Sequence, residues 1–303
     1  MKNHKKKIVV RIAAGLGNQM FMYANALSVA KKNHCDLLID DESGFFQKKN
    51  STFDRDYKLF YFNLSSKLAP SKFKFNNYWL HLIRKISIFF DRFNNYKKFQ
   101  IEHKGSNKIT SFKSIKKINT NLLYIEGNYE SEKYFMNIKK DINKEFLVKK
   151  KYLKKNSQIS LLKNNNSISI HIRRGRFHEP NYINENKSNY TGKITFIEMI
   201  KYIQRGIKFF KNKIDNPKFF IWSNNFNNLE KFFDPKEFIF IKGNNTMNDF
   251  NLFNYCKHFI VSPSSFHWWG AWLNRYPNKI CCRPRNLNPS NNKNFWPGKW
   301  HKI

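Results

Sequence analysis

Carboxylates are the scarce commodity in this chain. Its 303 residues hold 21 Asp and Glu against 56 Lys and Arg, a formal net charge of +35. Cysteine is rarer still, at four: Cys35 and Cys256 stand alone, and Cys281 and Cys282 are adjacent. That pattern is neither a disulfide framework nor a zinc-ligand spacing, and a reducing compartment suits it best. No uninterrupted apolar run of about 18 residues occurs, so no clear membrane-spanning helix is expected. Internal repeats and long low-complexity linkers are also missing.

What is present is apolar and aromatic bulk. Hydrophobic residues make up 41% and aromatics 17%, with 31 Phe. A disordered basic tail protein is excluded, because this content can fill a sizeable core. The charge invites nucleic acid, since clustered Lys and Arg neutralise phosphates. Yet Lys, Asn, Ile and Phe are all abundant together, as A/T-rich coding would make them, and no nucleic-acid partner is expected. The charge fits better with work beside an anionic membrane or on a phosphorylated substrate. A polyanion-binding protein without catalysis is the alternative that rests on charge alone.

The chain reads as two α/β domains in tandem, 1–150 and 151–303. Met1 to Gly17 imitates a signal peptide, but Arg11 breaks the apolar run, so Lys7–Ala13 reads as a first strand. Gly15 and Gly17 break it, Asn18 can cap a helix, and Met20, Tyr23, Ala24, Leu27 and Ala30 form that helix's stripe. Cys35–Asp40 and Leu122–Tyr129 read as strands, and Ser131 caps a helix running to about Phe146. Trp79–Phe93 mixes apolar residues with Arg84, Lys85 and Arg92. It predicts a helix packed on the core, with contact to a bilayer surface as the alternative. After a Lys- and Asn-rich connection at 149–166, strands and helices alternate at short spacing to residue 282, the pattern of a Rossmann-like domain.

Three segments could carry chemistry. At the end of the strand Ile168–Arg173, alternation puts His171 and Arg173 on one face and Arg174 on the other. Adjacent guanidiniums beside a Gly turn suit a pyrophosphate, because the Arg fork binds phosphate oxygens and keeps its charge. In Ser262-Pro263-Ser264-Ser265, two hydroxyls stand where a helix starts. This is a phosphate cradle or a plain N-cap. The turn Gly15-Leu16-Gly17-Asn18-Gln19 lets the backbone approach a ligand. It lacks the third Gly of a dinucleotide fingerprint, so a dehydrogenase is weakly supported.

These segments occur in order: Gly15-Leu16-Gly17-Asn18-Gln19-Met20-Phe21-Met22-Tyr23-Ala24, then His171-Ile172-Arg173-Arg174-Gly175, then Ser262 through Leu273. With Gly127-Asn128-Tyr129 and Tyr134-Phe135, the set resembles the α-1,2-fucosyltransferases of glycosyltransferase family 11. The resemblance covers nearly the whole chain, weakest over 45–120. It implies a GT-B-like fold, two Rossmann-like domains facing a cleft, with the acceptor side in the N-terminal domain and the donor in the C-terminal one. It implies transfer of fucose from GDP-fucose to a galactose hydroxyl of a glycan acceptor, with inversion, no cofactor and no obligatory metal. The same scaffold using another nucleotide sugar is the alternative within enzymes.

By the same resemblance Arg173 holds the pyrophosphate, His171 and Arg174 lie near the nucleotide, and Ser264 and Ser265 bind phosphate. Asp249, sixteen positions before Ser265, would contact guanine, whose N–H donors suit a carboxylate. Gly15, Gly17, Asn18 and Gln19 would face the cleft. The family usually carries Asp where this chain has Arg176, and Ser-Asp-Asp where it has Ser223-Asn224-Asn225. Glu179 is the nearby carboxylate that could serve as general base. The expected location is cytoplasmic, with peripheral contact at the inner membrane.

Overall fold

The computed structural model describes residues 5–46, 56–102, 110–113, 118–174 and 196–303. They divide into two compact units: Met1–Leu147 with Ser290–Phe295, and Val148–Pro289 with Trp296–Ile303. The return of 290–295 to the first unit has polar causes that the sequence hides. Ser131 Oγ donates to the Asn294 carbonyl at 2.7 Å, Ser290 Oγ to Glu130 at 2.6 Å, and Phe112 N–H to Asn294 Oδ1 at 3.0 Å.

The first unit is built on a parallel sheet of β1 (Lys7–Arg11), β2 (Asp36–Asp40), β3 (Lys67–Leu68), β4 (Phe99–Ile101) and β5 (Leu122–Glu126), in the order β3-β2-β1-β5-β4. Helix α1 (Leu16–Lys32) connects β1 to β2 and is buried along nearly its whole length. Its small Ala24, Ala26 and Ala30 let it lie close to its neighbours. The helix foreseen after Ser131 is instead two 3₁₀ turns followed by the short α3 (Lys139–Glu145).

One element departs from expectation in kind. Helix α2 (Tyr78–Asp91) does not pack its apolar side on the core. Its buried residues are His81, Arg84 and Asp91, while Trp79, Leu82, Ile83, Ile86 and Phe90 are exposed. Periodicity shows that a helix has two faces, but not which one its neighbours require. Here the neighbour is Glu126 at the end of β5, which takes the Arg84 guanidinium in an ion pair.

The second unit holds α4 (Gln158–Asn164), β6 (Asn166–Ile172), α5 (Phe196–Lys213), β7 (Pro217–Ser223), β8 (Phe238–Phe240), α6 (Thr246–Leu252), β9 (His258–Ile260), α7 (Ser265–Leu273), β10 (Cys281–Arg283) and β11 (His301–Lys302). Its sheet is parallel throughout, in the order β11-β10-β9-β6-β7-β8. Counted from β6, this is the doubly wound Rossmann order, and the direction of winding reverses between β6 and β9. Strand β6 is buried on both faces. Ile168, Ile170 and Ile172 pack with Met199, Ile203 and Phe210 of α5, while Ser169 and His171 turn the other way, toward His267 of α7. Trp268 and Trp269 are fully buried and Trp272 nearly so; they belong to the core.

Candidate functional site

In a doubly wound sheet, ligands bind beyond the carboxyl ends of the strands where the winding reverses. In the second unit that point follows β6 and β9. The chain leaves β6 through Arg173 and Arg174, and leaves β9 through Ser262-Pro263-Ser264 into α7. Two motifs far apart in sequence therefore emerge from neighbouring strands, because β6 and β9 pair through Ile168–His258 and Ile170–Ile260.

This end of the sheet collects buried polar atoms that have no hydrogen-bond partner among the described residues. They are His171 Nδ1, Trp222 Nε1, Asp249 Oδ1, Ser262 Oγ and Ser264 Oγ. His171 and Trp222 face each other across β6 and β7. Phe253 packs against both rings, and Phe266 against His171. A buried polar group without a partner costs about 1–3 kcal/mol. Such groups concentrated at one strand end mark a place built to be completed by a polar molecule.

Ser264 decides between a cradle and a plain cap. It sits at the N-cap of α7 with extended backbone (φ −146°, ψ 128°), yet its side chain makes no capping hydrogen bond. Its hydroxyl is therefore not used as a cap, and it stands at the positive end of the helix dipole, which favours an anion. A working Ser cap loses about 1 kcal/mol on replacement by Ala. Ser264→Ala should leave the melting temperature of the free chain unchanged or slightly raised, and a calorimetric scan checks it. A drop of several degrees would mark Ser264 as a structural cap.

The electrostatics are governed by burial. Burial, and secondarily the Arg173 guanidinium, hold His171 down at about 3, so it is a neutral ring at physiological pH. His267 is also held neutral, by burial first and by His171 second. Its Nδ1 accepts from Ser262 N–H at 3.3 Å, which leaves the ring proton on Nε2 to meet Ser169 Oγ at 3.0 Å. Burial pushes Asp249 up to about 6, against the opposing pull of the Asn244 amide and the Trp222 indole N–H. Those two groups come near enough to lower the pKa, but Oδ1 and the indole nitrogen fall outside hydrogen-bonding geometry.

The two arginines have different surroundings. Arg173 is half-buried on the His171 side of the strand end. Arg174 is buried; its guanidinium donates to the Asn227 carbonyl and lies 5.2 Å from the Phe196 ring centroid. Its backbone is clasped by Asn224, whose Oδ1 accepts from Arg174 N–H at 2.7 Å and whose Nδ2 donates to the Arg174 carbonyl at 3.2 Å. A carboxylate at 224 could accept but not donate. The Asn found there is the residue that can pair with both sides of the peptide. Asn225 is tied into a local turn with Ser223. Arg174 and Asn224 thus fix the course of the chain as it leaves β6.

In the first unit, the turn after β1 is not organised as the two glycines suggest. The left-handed residue is Ala14 (φ 64°), whereas Gly15 is an extended N-cap with φ −78°. A Cβ on Gly15 would meet nothing within 4 Å. Asn18 is half-buried and Gly17 buried in the first turn of α1. Gln19 does not reach outward: its amide donates to Ala14 O (2.8 Å) and Asp56 O (2.7 Å) and accepts from Lys58 N–H (2.8 Å). Its hydrogen-bonding capacity is spent holding the strained turn. A cavity of about 440 Å³ in this unit, lined in part by Asn25, Lys32 and Lys133, lies toward the other end of α1 and touches none of the candidate site residues.

Glu179, Gly175 and Arg176 lie outside the described residues. Among the described residues there is no group of three or more His, Cys, Asp or Glu that could hold a metal ion. Trp222, Phe253 and Phe266 are the site residues that sequence reasoning missed. Trp222 alone had a usable signal, as it stands one residue before the end of a strand paired to β6.

Comparison with known proteins gives a consistent picture. Residues 1–292 match the model of glycosyl transferase family 11. An α-1,2-colitosyltransferase of Escherichia coli is 27% identical over 98% of both chains. The O-antigen biosynthesis glycosyltransferase WbnK of Escherichia coli is 27% identical over 93% of this chain and 95% of its own length. Among solved structures, NodZ α-1,6-fucosyltransferase co-crystallised with GDP superposes with a TM-score of 0.52 at 14% identity, over 92% of this chain and 95% of that one. NodZ from Bradyrhizobium gives 0.50 at 13%, over 88% and 92%. At such identity the likeness is one of fold, and the two parallel α/β units are GT-B-like.

Proposed function

The chain belongs to glycosyl transferase family 11, and on that footing we propose that it transfers fucose from GDP-fucose to a galactose 2-hydroxyl of a surface polysaccharide or oligosaccharide, with the first unit on the acceptor side and the second holding the donor. The observation that carries the donor half is the cluster of partnerless polar atoms at the reversal point of the second sheet. Its parts suit the parts of a guanosine diphosphate sugar. Asp249 can accept from the two N–H donors on the guanine edge. Ser264, Ser265 and the start of α7 offer donors to the pyrophosphate, and Arg173 supplies a fixed cation beside them. Ser262, Trp222 and the neutral His171 complete the wall with hydrogen-bonding groups. GDP in the NodZ structure supports the same choice of nucleotide.

In this reading the bond from the sugar C1 to the β-phosphate oxygen breaks, and the electron pair leaves with the phosphate. Arg173 and the α7 dipole stabilise the developing charge. The galactose oxygen attacks C1 from the opposite face, so the anomeric configuration inverts. Its proton passes to a carboxylate, for which Glu179 is the candidate, or to the departing phosphate. Arg174, Asn224 and Gln19 act as positioning residues. Gly15, Gly17 and Asn18 are the first-unit groups proposed to border the substrates.

The test is transfer itself. Purified chain with GDP-fucose and β-galactosides, without added metal, should release GDP and give an α-1,2 linkage by NMR. Absence of both GDP binding and GDP release with every galactoside would defeat the proposal. A second donor has its own support in the colitosyltransferase relative. Colitose is fucose without the 3-hydroxyl, so a parallel assay with its GDP derivative separates the two readings by kcat/KM.

A further inference from the structure

Helix α2 is built inside out. The face turned inward is polar: Arg84 pairs with Glu126, its second nitrogen lies 3.3 Å from His81 Nδ1, and the Asp91 carboxylate accepts from Lys98 N–H at 2.8 Å and Phe99 N–H at 3.1 Å. Both ends are finished as well. Asn77 caps the first turn through Leu80 N–H, and Lys97 covers the last carbonyls at Asp91 and Arg92. The opposite face is apolar and lies in the open: Trp79, Leu82, Ile83, Ile86 and Phe90, continued by Phe93 in the turn after the helix, with Trp79 72% and Phe93 75% exposed. These positions recur at three- and four-residue spacing and form one continuous stripe. An apolar stripe of this size on the surface marks a contact with something apolar.

The surrounding charge says what that is. Between residues 67 and 98, Lys74 and Arg84 are buried in ion pairs, which leaves Lys67, Lys72, Lys85, Arg92, Lys97 and Lys98 as exposed cations against one acid, Asp91. Asp91 is buried and bound to backbone N–H groups, so the exposed acidic charge of this stretch is nil. Lys85 and Arg92 are exposed on the flank of the stripe. We propose that α2 lies in the surface of an anionic lipid bilayer, with the stripe in the headgroup–acyl boundary and the flanking cations on lipid phosphates. Trp79 and Tyr78 sit at the start of the helix as interfacial aromatics do. At 14 residues α2 is too short to cross a bilayer core of about 30 Å, at roughly 1.5 Å per residue. A second copy of the chain is the poorer occupant, because it would bring two cationic rims together. The proposal does not depend on the identity of the donor.

Co-sedimentation of the full chain with vesicles tests it. Vesicles of phosphatidylcholine with phosphatidylglycerol should bind the chain, and pure phosphatidylcholine should bind it much less. The double substitution Ile83→Glu with Phe90→Glu should weaken binding about tenfold or more, with the melting temperature unchanged because both side chains are exposed. Lys85→Glu with Arg92→Glu should weaken binding to the anionic vesicles and leave the residual neutral-vesicle binding unaltered. Unchanged binding in the first double variant would overturn the proposal. So would a shift from dimer to monomer by light scattering in that variant, which would assign the stripe to a second copy.

Discussion

Arg173→Ala is expected to lower kcat/KM for fucosyl transfer by about a thousandfold, in the range found when a group stabilising developing negative charge is removed. That corresponds to roughly 4 kcal/mol of transition-state stabilisation. The effect should fall mainly on kcat, because the charge on the leaving phosphate grows as the sugar bond breaks. The acceptor KM should hardly change. Arg173→Lys should recover part of the rate but not all of it, since an ammonium keeps the charge and loses the two-pronged geometry. The substitution also removes one of two causes that keep His171 neutral. Burial, the larger cause, remains, so His171 should stay uncharged at pH 7. If kcat/KM survives Arg173→Ala within a few fold, the pyrophosphate contact lies elsewhere.

Asp249→Asn is expected to weaken GDP binding by tenfold to a hundredfold, roughly the range for losing a charge-assisted hydrogen bond. An amide in that place cannot accept from both guanine donors without turning its own donor toward one of them. The wild-type chain should also show a pH dependence that Asp249→Asn lacks. Burial raises Asp249 to about 6 in the free chain, and only the ionised form can accept both guanine protons. Affinity should be flat above pH 7 and about tenfold weaker at pH 5. The stability consequence runs in the opposite sense. A carboxyl whose folded pKa is raised costs stability as pH climbs from the unfolded value, 3.8, through about 6. Asp249→Asn should therefore raise the melting temperature at pH 7, and that gain should vanish near pH 4. A residue that weakens the free fold and strengthens nucleotide binding is a binding residue; one that did neither would be surface decoration.

Much of the second unit was legible because its signals are local. Ile168–Arg173, Lys218–Ser223 and Ser264–Leu273 carry their own apolar patterns, and they appear as β6, β7 and α7 with shifts of a residue or two. The relation between the Arg173 and Ser264 motifs could be anticipated, since parallel strands put their carboxyl ends on one side. Long-range polar partners could not. Which face of α2 turns inward depends on Glu126, 42 residues beyond Arg84. Arg174 is held by an amide 50 residues away, and nothing near Arg174 hints at it. Gln19 looked like a ligand-facing group because its partners, Asp56 and Lys58, lie in a stretch without a readable pattern. The edge strands β3, β4 and β11 are two or three residues long, too short for alternation to register. Helix α4 rests on a single fully buried residue, Leu162, in a Lys- and Asn-rich stretch that reads as a connection.

The proposed guanosine diphosphate site lies at the reversal point of the second sheet. Isothermal titration of the full chain with GDP and with UDP at pH 8, repeated on Asp249→Asn and Ser264→Ala, tests it most directly. GDP should fill one site per chain, UDP should bind far more weakly, and both variants should lose GDP affinity. Equal affinity for GDP and UDP, or GDP binding untouched by both substitutions, would contradict it.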